Sequence, residues 1–262
     1  MFPENRDRPT HQGVICCFHP DTGSPLAIYG RHVHHSDTYG RWFGAGVALP
    51  RSAQLSCVVD YRDRGAARAH ARAFRSWPGL ELVRVAGRDR SATERLVAEL
   101  VADGTTAEAA LTVEDAVRSA DIVCATTHAD APVVRRDWLR PGTHVNSVGY
   151  NTAGAGEIDS GVIRDALVVV ESRDAVLAPP PSGSIELRRA IEAGIVRPDF
   201  IHAEIGEIVA GHAKGRGDDQ AITLYKSMAS PCRTPLPPPS YFRLPRPAVP
   251  ACQSTSDSLQ AD

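Results

Sequence analysis

The sequence predicts an α/β fold built on a Rossmann-type, doubly wound, largely parallel sheet. Three observations predict it. Short β-prone runs rich in Val, Ile and Leu recur at residues 55–59, 80–85, 108–111, 122–125, 143–148 and 167–170. Helical stretches lie between several of them. The alternation leaves room for the crossover connections that parallel strands require, and these cover both faces of a sheet.

Taken in order, residues 13–18 and 25–29 are apolar runs joined by HPDTGS, where Asp21, Gly23 and Ser24 supply turn chemistry, so a hairpin is expected. Residues 66–74 are Ala-rich and helical. Ser91-Ala92-Thr93-Glu94 reads as a capping box opening a second helix that runs to about residue 102. Thr112, followed three residues later by Asp115, starts a third. A Rossmann-type domain over residues 53–217 follows, flanked by segments 1–52 and 218–262. Residues 231–250 carry so many prolines that helix or interior strand is excluded there, and an extended tail is expected.

Composition narrows the function classes. The 42% hydrophobic content is evenly spread, no run approaches the length that crosses a bilayer, and MFPENRDRPT lacks a secretory pattern, so a cytoplasmic location away from membranes is expected. Lys plus Arg total 29 against 31 Asp plus Glu, a formal charge of −2 that would gather no nucleic acid. The six cysteines show no C-x-x-C spacing, and Cys16-Cys17 alternate across a strand, so reduced thiols are expected. His32, His34, His35 and Asp37 lie close together but have no second half-site of known spacing, so no metal is expected.

Ligands of doubly wound sheets bind outside the carboxyl ends of the strands. Arg88, Thr126, Thr127, Val148 and Gly149 directly follow predicted strands, and Ser147-Val148-Gly149 gives a backbone small enough for close approach. The same residues also suit a blander role, with Thr126-Thr127 capping a loop and Gly149 turning the chain. At the end of the second strand, Gly87-Arg88-Asp89-Arg90 offers guanidinium where an acid would hold a ribose hydroxyl, favouring NADP(H) over NAD(H). The alternative is that Arg88 and Arg90 are solvated and Asp89 performs the acid's task.

The runs ARAHARAF, LVRVAGRDR, SADIVCATTHADAPVV, LRPGTHVNSVGYNTAGAGEID, EIGEIVAGHAKGR and ITLYKS, over about residues 68–227, resemble the ornithine cyclodeaminase/mu-crystallin family in order and spacing. GVICCFHPDTGSPLAI adds the family's hairpin. The resemblance implies a dinucleotide-binding domain joined to the remnant of a smaller mixed α+β domain that binds the amino acid and forms a homodimer, to which residues 1–52 and 218–262 would belong. It implies NAD(P)-dependent hydride transfer on small amino acids or cyclic imines, cyclodeamination of ornithine, or non-catalytic dinucleotide or ligand binding as in the crystallin members. It places Gly87 where NAD-preferring members carry the acid.

Asn151 occupies the position of the family's proton-transferring aspartate, and a carboxamide has no useful basicity near neutral pH. A reductase is therefore favoured over a cyclodeaminase, and an ordinary turn role for Asn151 stays open. Glu157 matches the family's acidic position and is expected to orient the loop or the nicotinamide side. Ser227, after Lys226, is expected to contact cofactor or substrate, and His70 to be helical scaffolding. The family's substrate-binding arginine and lysine fall before Met1, so weak or absent activity is expected.

The dinucleotide fingerprint G-x-G-x-Q-A-x-x-H falls on residues 62–70, with Gly65, Ala66 and Ala67 at the cofactor turn, yet only Ala67 and His70 match. Arg62 and Arg64 stand where glycines admit the pyrophosphate. Choosing permitted codons for residues 29–66 and shifting one nucleotide yields a family-like segment ending GTGVQ, which joins ARAHARAF and restores the fingerprint. The opposite shift after Met228 yields GVAVQDAAAAALVL and a stop where Ser256 meets Asp257. The hypothesis is an inserted base near Tyr29, a lost base near Ala66 and a further change near Ala229. A source DNA sequence that encodes the present frame cleanly would remove it.

Overall fold

The computed structural model describes residues 14–18, 25–30, 53–59, 64–75, 79–149, 156–179 and 182–228. The segment 31–52, Asn151 and the proline-rich tail lie outside the described residues. Strands β1 (Val14–Phe18) and β2 (Pro25–Gly30) pair antiparallel, forming the expected hairpin.

The remaining strands are β3 (Ala53–Val59), β4 (Leu80–Gly87), β5 (Ala107–Ala109), β6 (Ile122–Thr126), β7 (His144–Ser147), β8 (Leu167–Val170), β9 (Ala203–Glu204) and β10 (Thr223–Lys226). They form one sheet in the order β5-β4-β3-β6-β7-β10-β8-β9, and every pairing is parallel. The chain winds outward from β3 through β4 to β5, then restarts at β6 and winds the other way. That reversal is the topological switch at which a doubly wound sheet opens a crevice. All five residues of β6 are buried, as a strand with both faces covered requires. One core cluster gathers Val123, Val145, Val168 and Leu224, and the other Val83, Val85, Leu96 and Phe74.

Helices α1 (Arg64–Arg75), α2 (Arg90–Ala102), α3 (Val113–Ser119), α4 (Ser160–Asp165), α5 (Arg173–Leu177), α6 (Ile185–Glu192) and α7 (Ile205–Val209) complete the described residues. Thr112 caps α3 as expected, its hydroxyl accepting from Asp115 N at 3.0 Å. The expected capping box at Ser91 gives way to Asp89, whose Oδ1 accepts from Ala92 N at 3.0 Å and Ser91 Oγ at 2.9 Å. An ionised acceptor outcompetes a hydroxyl for the first-turn amides, and Glu94 turns to Arg90 at 2.7 Å instead. β5 stops at Ala109, short of the expected residue 111, because Leu111 is 86% exposed. The sheet also runs past the expected boundary at 217. Thr223–Lys226 bonds between β7 and β8, so the last described strand is an interior one.

At the amino end of β7 and β10 a chain of polar groups crosses the core, neutral apart from the Arg216 guanidinium at its outer end. Arg216 donates to Thr223 Oγ1 at 2.9 Å, and the same hydroxyl faces His144 Nδ1 at 2.7 Å. His144 Nε2 lies 3.0 Å from Asn146 Oδ1, an acceptor, and Asn146 Nδ2 donates to Cys124 Sγ at 3.5 Å. These partners assign the ring proton to Nε2. Burial pushes the His144 imidazole down to about 4, so the ring is neutral at ordinary pH. Asn146 stands between imidazole and thiol, so this is scaffolding and not a Cys–His pair. Cys124 is a free buried thiol.

Candidate active site

The parallel register brings the carboxyl ends of the strands to one edge. Val59 pairs with Gly87 on one side and Thr126 on the other; Ala125 pairs with Ser147, Ser147 with Lys226, and Lys226 with Val170. Arg88, Thr127, Val148, Gly149 and Ser227 each emerge just beyond these ends, and Thr126 is itself the last residue of β6. The expected constellation therefore shares one edge, with the β3/β6 switch inside it. Gly65 and Ala66 lie in the first turn of α1, which packs on β3 and β6. Ala67 is fully buried in the core with Ala71 and Phe74, so its side chain serves helix packing. His70 is fully buried, as scaffolding should be.

Glu157 is the hub of this edge. Its Oε2 accepts from Thr127 N and Thr127 Oγ1, both at 2.9 Å, and its Oε1 accepts from Ser147 Oγ and Gly149 N, both at 2.7 Å. One carboxylate thus ties the tips of β6 and β7 together with four donors while only 1% exposed. A Cβ on Gly149 would sit 2.3 Å from Thr127 O and 2.4 Å from the Glu157 carboxylate, so only glycine lets this approach happen.

Two further charges lie beside it, and the sequence reading had no role for either. Lys226 Nζ donates to Ser147 Oγ and Gly149 O, both at 2.9 Å, and pairs with Glu186 Oε2 at 3.1 Å. Glu186 Oε1 accepts from the backbone N–H of Glu157, and more weakly from Ile158 N at 3.4 Å. Burial pushes the Glu186 carboxyl above its ordinary range, Lys226 opposes that shift, and Glu157 adds to it. The signal for Lys226 was a lysine inside the β-prone run ITLYKS. Glu186 gave none, since SIELRR reads as an ordinary helix start.

Ser227, also expected at the site, turns inward. Ser227 N donates to Ser147 O at 2.9 Å and its hydroxyl bonds Glu171 Oε1. Arg88 is exposed at the end of β4. Asp89, its neighbour, is held as the α2 cap, and the Ala92 amide keeps its carboxyl below the usual range. His128, next to Thr127, buries an Nδ1 that makes no hydrogen bond to protein. Among the described residues no cluster of His, Cys, Asp and Glu could hold a metal ion.

A family model described as the ornithine cyclodeaminase/mu-crystallin family matches residues 2–232. The chain belongs to that family. Among relatives of this ornithine cyclodeaminase/mu-crystallin chain, ketimine reductase mu-crystallin from Mus musculus is 27% identical over 222 residues, 84% of this chain and 65% of the relative. A Delta(1)-pyrroline-2-carboxylate reductase from Bacillus cereus is 40% identical over 115 residues, 44% of this chain and 34% of the relative. The chain therefore spans about two thirds of the first and one third of the second. The structure of Thermococcus litoralis Delta(1)-pyrroline-2-carboxylate reductase in complex with NADH and L-proline superposes with a TM-score of 0.74 at 27% identity, covering 84% of this chain and 68% of that one. A probable ornithine cyclodeaminase from Bordetella pertussis gives 0.67 at 26%, covering 83% and 68%.

Proposed function

We propose that this chain is an NADP(H)-dependent oxidoreductase that acts on cyclic imines or small amino acids. The observation that carries the reading is the shared edge: strand tips gather at the β3/β6 switch, and those of β6 and β7 are locked together through Glu157. The bound dinucleotide would supply the hydride. Thr126, Thr127, Val148 and Gly149 would line its path, and α1 would present its N-terminus, with Gly65 and Ala66, to the phosphates. The buried Nδ1 of His128, without a protein partner, supports placing a ligand group beside the β6 tip.

The choice of NADP(H) rests on β4. Gly87 brings no carboxylate, Asp89 is occupied in capping α2, and Arg88 is exposed where a guanidinium can grip a 2′-phosphate in a bidentate fork. Glu157 acts as a positioning residue, since four donors already converge on its two oxygens. Asn151 can orient a substrate nitrogen but cannot shuttle its proton, which favours reduction over cyclodeamination. A homodimer accompanies this reading, and light scattering tests it.

Titration with NADPH and NADH, followed by nicotinamide fluorescence, tests the cofactor. NADPH is expected to bind about tenfold or more tightly than NADH. Consumption of NADPH on addition of a cyclic ketimine tests the reaction. Binding of neither nucleotide would end the proposal.

A further inference from the structure

We propose that Lys226 and Glu186 form a buried positioning pair that clamps the Gly149 peptide, and through it fixes the face that the β7 tip turns toward the bound nicotinamide. The second half of this statement rests on the function proposed above; the clamp itself does not.

Lys226 Nζ donates to Ser147 Oγ and Gly149 O, both at 2.9 Å, and its charge is met by Glu186 Oε2, an ion-pair contact at 3.1 Å. With its side chain 2% exposed, Lys226 is turned to these three partners and away from solvent. It is a tether. Gly149 is held from the other side as well, its N–H donating to Glu157 Oε1 at 2.7 Å. Opposite charges thus grip the N–H and the C=O of one glycine, which fixes its rotation as a single neutral contact would not. Glu186 is anchored in turn by the Glu157 amide, and Gly156, at φ +93°, leaves no room for a Cβ beside the Glu186 side chain. A shallow cleft with an enclosed space of only about 10 Å³ lies against the clamp, lined by Gly149, Gly183, Ser184, Glu186, Lys226 and Met228. Stability alone does not call for this arrangement, because a well-packed apolar pair would serve as well as a buried ion pair.

Glu186→Gln keeps an acceptor for the Glu157 amide and removes the charge; Lys226→Met removes the tether. In the ligand-free protein the Gly149 amide is expected to exchange at least about tenfold faster in both variants, while the Thr127 amide, held by Glu157, stays slow. In the loaded enzyme, NADPH affinity is expected to remain within about threefold and kcat on a cyclic ketimine to fall at least about tenfold with little change in KM. Folded variants with wild-type exchange at Gly149 would overturn the clamp. Faster exchange with unchanged kcat would overturn its link to the nicotinamide. If the wild-type protein binds neither nucleotide, the functional reading fails and the exchange measurement still decides the clamp. Glu186→Gln carries the test should Lys226→Met not fold.

Discussion

The two ends of the β7–β10 ladder handle buried polarity in opposite ways. At the amino end, His144 sits opposite Thr223, and every group in the chain from Thr223 through His144 and Asn146 to Cys124 is neutral. Three residues further on, Ser147 sits opposite Lys226, and the buried groups are an ammonium and two carboxylates. The same two strands therefore carry a neutral network at their amino ends and an ionic one at their carboxyl ends, the edge proposed to face the dinucleotide. A neutral network costs little to bury. An ionic one is expensive, and it fixes direction as well as distance.

The largest way to break this contrast is Glu157→Ala. It strips four donors of their acceptor and leaves Lys226 and Glu186 with a disrupted frame, so a loss of about 3–5 kcal/mol is expected in urea denaturation. At the neutral end the probe is pH. The unfolded imidazole titrates near 6.5 and the folded one near 4, so between these values the unfolded chain binds the extra proton. Stability is therefore full above pH 6.5 and falls by about 3 kcal/mol as pH drops to 4, with no further loss from this group below that. His144→Gln should flatten that slope; an unchanged slope would place its origin elsewhere.

A smaller effect concerns the edge that the ionic network serves. Replacing Arg62 and Arg64 with glycine, as the shifted reading frame supplies, is expected to tighten NADPH binding about tenfold in a fluorescence titration. No gain would count against the proposed pyrophosphate position. The smallest is Asp89→Ala, which removes the α2 cap at a cost of about 1 kcal/mol, read from the thermal midpoint. It should leave the preference for NADPH over NADH intact, whereas loss of that preference would show Asp89 helping to hold the ribose.

Much of the architecture was legible because the strands are short Val- and Ile-rich runs separated by helices with their own caps. β10 was the exception: four residues after a long coil, with a lysine at the end, carry too little pattern to be placed inside a sheet. Asp89 displaced Ser91 as a cap because both patterns fit the same stretch and only the folded geometry ranks them. Glu157 was visible through its family resemblance. Lys226 fell within the family-like run ITLYKS but was given no role of its own, and Glu186 gave no signal, because a helix-start glutamate and a strand lysine look solvated until the fold brings them together. Lys226 and its partner Ser147 are 79 residues apart.

The place of β10 also has a temporal side. β7 and β8 make no ladder with each other; they are joined through Thr223–Lys226, which bonds to both. As the chain leaves the ribosome, the half that ends in β7 and the half that begins with β8 must wait side by side with unsatisfied edges. They join only when the stretch through Lys226 arrives, and the ammonium that grips Gly149 arrives with it. Completion of the sheet and closure of the Lys226 tether are thus one event, and a chain cut before Thr223 would have neither.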